Sequence, residues 1–234
     1  MHRRTALFDL DGTLVDSAPD LHAATDRLMA RLGLPGFARA EVVAMIGDGA
    51  RALVERALAA RGRSFDPAAL ETFLADYTAH AVVETRPFPG IPDALDALRA
   101  EGWQLAVCTN KPEAASRAVL EVLGLLDRFV AIGAGDSFPV RKPDPAHLLA
   151  TLRLAGGEPA AAVMIGDHRN DVAAALWAGL PAVFVTWGYG PPEMAEGAAA
   201  QARAPGDLPA LLPRLLTAAR RDQRGGESLA AATR

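Results

Sequence analysis

The chain has almost no lysine and almost no cysteine. Cys108 stands alone, which excludes an internal disulfide and any multi-cysteine metal site. Of 24 basic residues only Lys111 and Lys142 are lysine. Where arginine serves nearly everywhere, two compact ammonium groups suit tight spaces beside an anion that a planar guanidinium would not fit. A basic surface is also missing. The net charge is −4, against non-specific nucleic-acid binding. No apolar run reaches a membrane span, and MHRRTALFDLDG contains no apolar signal region. There is no Gly-rich lysine loop for ATP, no Gly-x-Ser-x-Gly and no zinc motif. A cytoplasmic protein with no nucleic-acid and no membrane partner is expected.

What is present is rhythm. Apolar strands are expected at 5–10, 104–109, 129–132, 161–165 and 181–185, and helices at 91–101, 112–123, 144–155 and 170–178. Pro92, Pro112 and Pro145 suit first helical turns, and Gly102, Gly124, Gly156 and Gly179 suit helix ends. Repeated β-α units with near-continuous apolar strands imply an α/β fold. Its parallel, Rossmann-like sheet would carry helices on both faces. One interval breaks the pattern. LHAATDRLMARLG, ARALVERALAARG and AALETFLADYTAHAVV are all helical in period. They read as a helical insertion after the first strand, over 17–85. The α/β core would then comprise 1–16 and 86–222, with a frayed tail at 223–234.

The run FDLDGTLVDS (8–17) places two carboxylates at the end of a buried strand. Residues i and i+2 of a strand share a side, so Asp9 and Asp11 could face one spot. Like charges so close need a cation or a proton. Ligands of open α/β sheets bind beyond the carboxyl ends of the strands. There the later strands deliver CTNKP (Thr109, Asn110), RKPDP (Lys142) and IGDHRND (Asp167, Asp171). Acids, a hydroxyl, an amide and a lysine at one edge suit a phosphate bound with Mg²⁺, which prefers oxygen ligands. The metal would offset repulsion between an anionic nucleophile and an anionic phosphate. That repulsion is about 4 kcal/mol per charge pair at ~4 Å and an effective dielectric near ~20, or up to about a thousandfold in rate.

Together DLDGTLVDS, CTNKP, KPDP and IGDHRND resemble the four ordered motifs of the haloacid dehalogenase superfamily, over roughly residues 5–190. The helical insertion resembles that superfamily's cap. VVAMIGDGA, RPFPGIPDALDALRAEGWQLAVCTNKP and TWGYGPP are similar to its phosphoglycolate phosphatase branch. The resemblance implies a Mg²⁺-dependent phosphatase for a small phosphorylated metabolite, 2-phosphoglycolate, working as a monomer or homodimer. Asp9 would be the nucleophile and form an aspartyl-phosphate. Asp11 would be the acid and base, its carbonyl also meeting Mg²⁺. Lys142 would bridge Asp9 and the phosphoryl group, which Thr109 and Asn110 bind. Gly12 and Thr13 would make the tight turn, with backbone N–H groups toward the phosphate. Asp167 would ligate the metal, and Asp171 would ligate it or orient its water.

Other residues keep two readings. His168 stands where many relatives carry Ser or Thr, as a bystander or a participant. Lys111 is an exposed first-turn residue or the partner of a carboxylate. GDGAR (47–51) is a loop over the substrate or a helix-to-helix turn. Arg51 or Arg56 would meet a substrate carboxylate. Asp11 favours phosphoryl transfer over dehalogenation, and a cap without lysine argues against phosphonate cleavage. A phosphatase for another small metabolite or for pyrophosphate, a sugar-phosphate mutase and a silent binding protein on the same scaffold remain alternatives.

Overall fold

The computed structural model describes residues 3–217. The expected tail at 223–234 lies outside the described residues. The chain opens with β1 (Thr5–Phe8) and a two-residue strand β2 (Val15–Asp16). Four helices follow: α1 (Ala18–Arg31), α2 (Arg39–Val43), α3 (Ala50–Ala60) and α4 (Pro67–Ala79). Strand β3 (Arg86–Pro87) then pairs antiparallel with β2. The remaining elements alternate. They are α5 (Ile91–Ala100), β4 (Gln104–Cys108), α6 (Glu113–Val122), β5 (Ala131–Gly133), α7 (Pro145–Leu154), β6 (Ala162–Gly166), α8 (Arg169–Trp177), β7 (Ala182–Val185) and β8 (Ala200–Ala202). A last helix, α9, occupies 208–217.

Six strands form one parallel sheet in the order β5-β4-β1-β6-β7-β8. Alternation of side chains along the strands builds two apolar layers. Leu7, Ala106, Met164 and Phe184 pack with Leu148 and Leu152 of α7 and Val172 of α8. Phe8, Val107, Ile165 and Val183 pack with Ile91, Leu95 and Leu98 of α5 and Val119 of α6. That second layer continues into the inserted helices through Leu28, Leu53 and Phe73. Truncating a fully buried ring such as Phe8 to alanine would cost about 3–5 kcal/mol.

The expected elements form within one or two residues of their expected ends. The main shift is β5, displaced to Ala131–Gly133. Two paired segments escaped the sequence reading. The β2–β3 ribbon has only two residues per strand, and β8 is the three-residue segment AQA. The inserted interval also holds a fourth, five-residue helix, α2.

Both connections to the insertion are tied down at one residue. Asp20, in the first turn of α1, is buried. Its carboxylate accepts from the amides of Val83, Glu84 and Thr85 at 2.8–3.0 Å and from Thr85 Oγ1 at 2.7 Å. Burial works against its charge. The Thr85 hydroxyl and the three amides outweigh it and hold the carboxyl below its ordinary range.

No helix among the described residues is long and apolar enough to cross a membrane.

Candidate active site

From β1 the chain crosses to β4 on one side; from β6 it crosses to β7 on the other. The crevice between β1 and β6 is thus the switch point where such sheets bind ligands. Phe8 is in register with Ile165, so the two strands end together. Asp9 follows one and Asp167 the other. The Asp9 amide still donates to Ile165 O at 2.9 Å.

Beyond the strand ends the chain must turn within very little space. Gly12 makes that turn at φ +83°, and a Cβ there would lie 2.3 Å from Asp167 Oδ2. The Asp167 carboxylate is held on both sides. Thr13 Oγ1 donates to its Oδ1 at 3.0 Å, and the Tyr189 amide donates to its Oδ2 at 2.7 Å. Asp171, in the first turn of α8, accepts from the His168 amide at 3.0 Å and from Lys142 Nζ at 2.6 Å. Lys142 Nζ also lies 3.0 Å from Asp9 Oδ1 and donates to Cys108 O.

Asp9, Asp167 and Asp171 are all buried, each offering an oxygen within 4.8 Å of the others. Burial, then the charges of Asp9 and Asp171, push the Asp167 carboxyl up to about 8. Asp171 is likewise raised by burial, against the pull of Lys142. One ammonium for three carboxylates leaves negative charge uncompensated. A set of hard oxygen donors short of positive charge fits a divalent cation.

Asp11 stands apart from this trio. Its carboxylate accepts from Ser17 Oγ at 2.6 Å and from Lys111 Nζ at 2.8 and 3.0 Å. Lys111 is therefore a buried partner of a carboxylate, not an exposed helix residue. Its ammonium also donates to Tyr77 Oη of α4. Burial opposes its charge, but Asp11 and Tyr77 prevail and raise its pKa above that of an ordinary lysine.

Asp9, Asp11, Thr109, Asn110 and Lys111 line one cavity, about 480 Å³ with the open solvent at its mouth included. Its roof is Leu21, Ile46, Gly47, Gly49, Ala50, Leu53 and Phe73, with Tyr77 beside Lys111. Thr109 Oγ1 accepts from the Lys111 amide at 3.2 Å. The Asn110 side chain is engaged within the protein. Its Nδ2 donates to Gly47 O at 3.0 Å and Lys142 O at 2.9 Å, which occupies both amide protons. Asn170 Nδ2 donates to Asp48 Oδ1 at 2.6 Å. The GDG loop thus lies docked on the sheet edge, over the acids.

Arg51 is not brought to the site. Its exposed guanidinium lies 4.4 Å from the Phe65 ring centroid and does not line the cavity. Arg56 is spent inside the insertion, on Asp48 and on Met45 O. Both side chains lie along α3, whose apolar face turns to the cavity and whose charged face turns away. His168 is the N-cap of α8, where Nδ1 accepts from the Asn170 amide at 3.3 Å. Tyr189 was missed as a site residue. Its Oη accepts from the Ser17 and Ala18 amides at 2.7 and 2.9 Å and donates to Asp16 at 2.8 Å. It joins the Asp167 environment to the start of the insertion. Its only sequence signal was a place in TWGYGPP.

A model of the haloacid dehalogenase-like hydrolases matches residues 3–179. The chain belongs to that family. It is 44% identical over 193 residues to a phosphoglycolate phosphatase of Mesorhizobium japonicum, covering 81% of this chain and 85% of that protein. Phosphoglycolate phosphatase 1 of Pseudomonas aeruginosa is 44% identical, over 80% of this chain and 70% of its own. Among solved structures, a predicted phosphoglycolate phosphatase from Haemophilus somnus superposes with a TM-score of 0.82 at 30% identity, covering 89% and 97% of the two chains. The fold is therefore that of this hydrolase family, with the acid cluster at its switch point.

Proposed function

We propose that the protein is a Mg²⁺-dependent phosphatase that hydrolyses 2-phosphoglycolate to glycolate and phosphate through an aspartyl-phosphate. The observation that carries this reading is the pairing of Asp9 with Asp11. One is a buried carboxylate 3.0 Å from an ammonium; the other lies two residues on, outside the acid trio and in the same cavity. Two carboxylates in different surroundings suit two different roles.

Asp9 would attack phosphorus, and the P–O bond to the alcohol would break. Asp11, taking up a proton before the step in place of its ion pair with Lys111, would give that proton to the departing oxygen. It would then take a proton from the water that attacks the aspartyl-phosphate, which regenerates Asp9 and frees phosphate. Lys142, charged throughout, would offset the anions on Asp9 and the phosphoryl group. Asp9, Asp167 and Asp171 would hold Mg²⁺, with Asp11 contributing its carbonyl. When bound, the ion neutralises charge between carboxylate and phosphate. The GDG loop, docked through Asn110 and Asn170, would keep bulk water from the reacting atoms.

The roof supports a small substrate over a sugar phosphate. Leu21, Ile46, Leu53 and Phe73 offer no hydrogen bonds to a ring of hydroxyls. Phosphate release from a panel of phosphorylated metabolites, with Mg²⁺ and with chelator, tests the reading. The expected result is Mg²⁺-dependent turnover with 2-phosphoglycolate preferred. A panel in which 2-phosphoglycolate ranks among the poorest substrates overturns the substrate assignment.

A further inference from the structure

The steps above leave one charged group in the cavity unused. Lys111 has a buried side chain, 2% exposed. It is the one cation among the residues lining the cavity, because Arg51 and Arg56 are engaged elsewhere and the residues that the inserted helices contribute carry no charge. A substrate with a second anionic group must meet a counter-charge here. An unpaired carboxylate against Leu21, Ile46 and Phe73 would not leave water.

Lys111 has three ammonium protons. They meet both oxygens of Asp11, at 2.8 and 3.0 Å, and Tyr77 Oη, so a substrate carboxylate would take over one of the two Asp11 contacts. Tyr77 supplies a second donor. Its hydroxyl oxygen accepts from Lys111, and among the described residues no acceptor meets its own proton. The hydroxyl is buried and pushed up to about 12, so that proton stays in place. The Tyr77 ring is fixed by stacking on Phe73, with centroids 5.8 Å apart. The lysine comes from the sheet edge after β4 and the tyrosine from α4, so the pair exists only when the two parts meet. Its position is set as well. Lys111 touches Asp11, the residue assigned to the leaving oxygen, so a group bound to Lys111 lies next to that oxygen.

We infer that Lys111 and Tyr77 form the subsite for the non-reacting acidic end of the substrate, a carboxylate one or two carbons from the ester oxygen. The inference rests on the phosphatase reading and adds to it the residues that select an acid. Lys111 supplies charge and a hydrogen bond; Tyr77 supplies a second hydrogen bond from the opposite wall.

The test is a ratio, measured on the Mg²⁺-loaded full chain. Values of kcat/KM are compared for 2-phosphoglycolate and for ethyl phosphate, which has the same reacting end and no carboxylate. Wild type should favour the acid. Lys111→Met should lower the acid-to-neutral ratio by about 10- to 100-fold, the range for a lost charged hydrogen bond. Tyr77→Phe, which keeps the ring stack, should lower it by about 3- to 10-fold, mainly through KM. A general defect lowers both esters and cancels in the ratio. If Lys111→Met does not fold, Tyr77→Phe decides alone. A ratio unchanged within about twofold in the variants, with wild type active and acid-selective, overturns the subsite and leaves the phosphatase reading standing. Wild type that releases phosphate from neither ester overturns the phosphatase reading, and the subsite with it.

Discussion

Gly12→Ala is a one-carbon change that reaches the acids proposed to hold Mg²⁺ through the backbone. At φ +83° an alanine sits in the left-handed region, at a cost of about 1–2 kcal/mol. The steric effect is larger. The new Cβ would lie 2.3, 2.7 and 2.9 Å from the three terminal atoms of the Asp167 carboxyl, where ordinary contact begins at 3.4 Å. The carboxylate must retreat by about 1 Å, and an error of that size costs about 100-fold in a positioned reaction. It has little room to do so. Thr13 Oγ1 and the Tyr189 amide fix its oxygens, and Gly188 packs so closely that a Cβ there would come within 2.3 Å of Asp167 Cβ. Calorimetric Mg²⁺ titration and phosphate release at saturating substrate read the result. The variant should fold, bind Mg²⁺ about 10-fold more weakly or worse, and lose about 100-fold in kcat. Affinity and kcat both within about threefold of wild type would refute the argument that Gly12 is glycine for the sake of Asp167.

Other substitutions separate chemistry from architecture. Asp9→Asn should reduce phosphate release to background while far-ultraviolet circular dichroism is unchanged; near-normal turnover would remove Asp9 as nucleophile. Asp20→Ala strips the acceptor from the buried Thr85 amide and hydroxyl, about 1–3 kcal/mol for each orphaned group. At about 2–4 °C per kcal/mol, thermal unfolding should fall by roughly 5–15 °C at neutral pH. The Asp20 carboxyl is held below its ordinary 3.8. Its contribution is therefore present above that value and lost as pH falls through the lower, folded-state value. The gap between wild type and Asp20→Ala should close in that acid range; a gap that persists there would show that packing, not charge, holds the insertion's two ends.

The sheet and much of its edge were legible because their signals are local. A buried strand ending in Asp9 and Asp11, or in Gly166 and Asp167, names both its period and its exit. Lys142 was readable because RKPDP stands out in an arginine-rich chain. The tertiary partners were not. Whether Lys111 points to solvent or to Asp11 depends on where Tyr77 arrives, 34 residues away in sequence. Arg51 looked suited to a substrate carboxylate by residue type, but α3 turns it outward. The Asn110 amide donates to Lys142 O and to Gly47 O, and the second contact exists only once the insertion folds back. Tyr189 carries no spacing signal, since its partners at 16–18 lie more than 170 residues upstream. Strand β8 is only Ala-Gln-Ala, whose pairing comes from β7 rather than from its own pattern.

On the proposed reading, three buried acids coexist at the sheet edge because a divalent ion belongs among them. Mg²⁺ titration of the substrate-free protein at pH 6 and pH 8.5 tests it directly. With the Asp167 carboxyl pushed up to about 8, the cation must displace protons at the lower pH and far fewer at the higher. Saturable binding that tightens with pH, with proton release shrinking over the same range and both effects lost in Asp167→Asn, is the predicted result. Binding that is absent, or indifferent to pH and to that substitution, would contradict it.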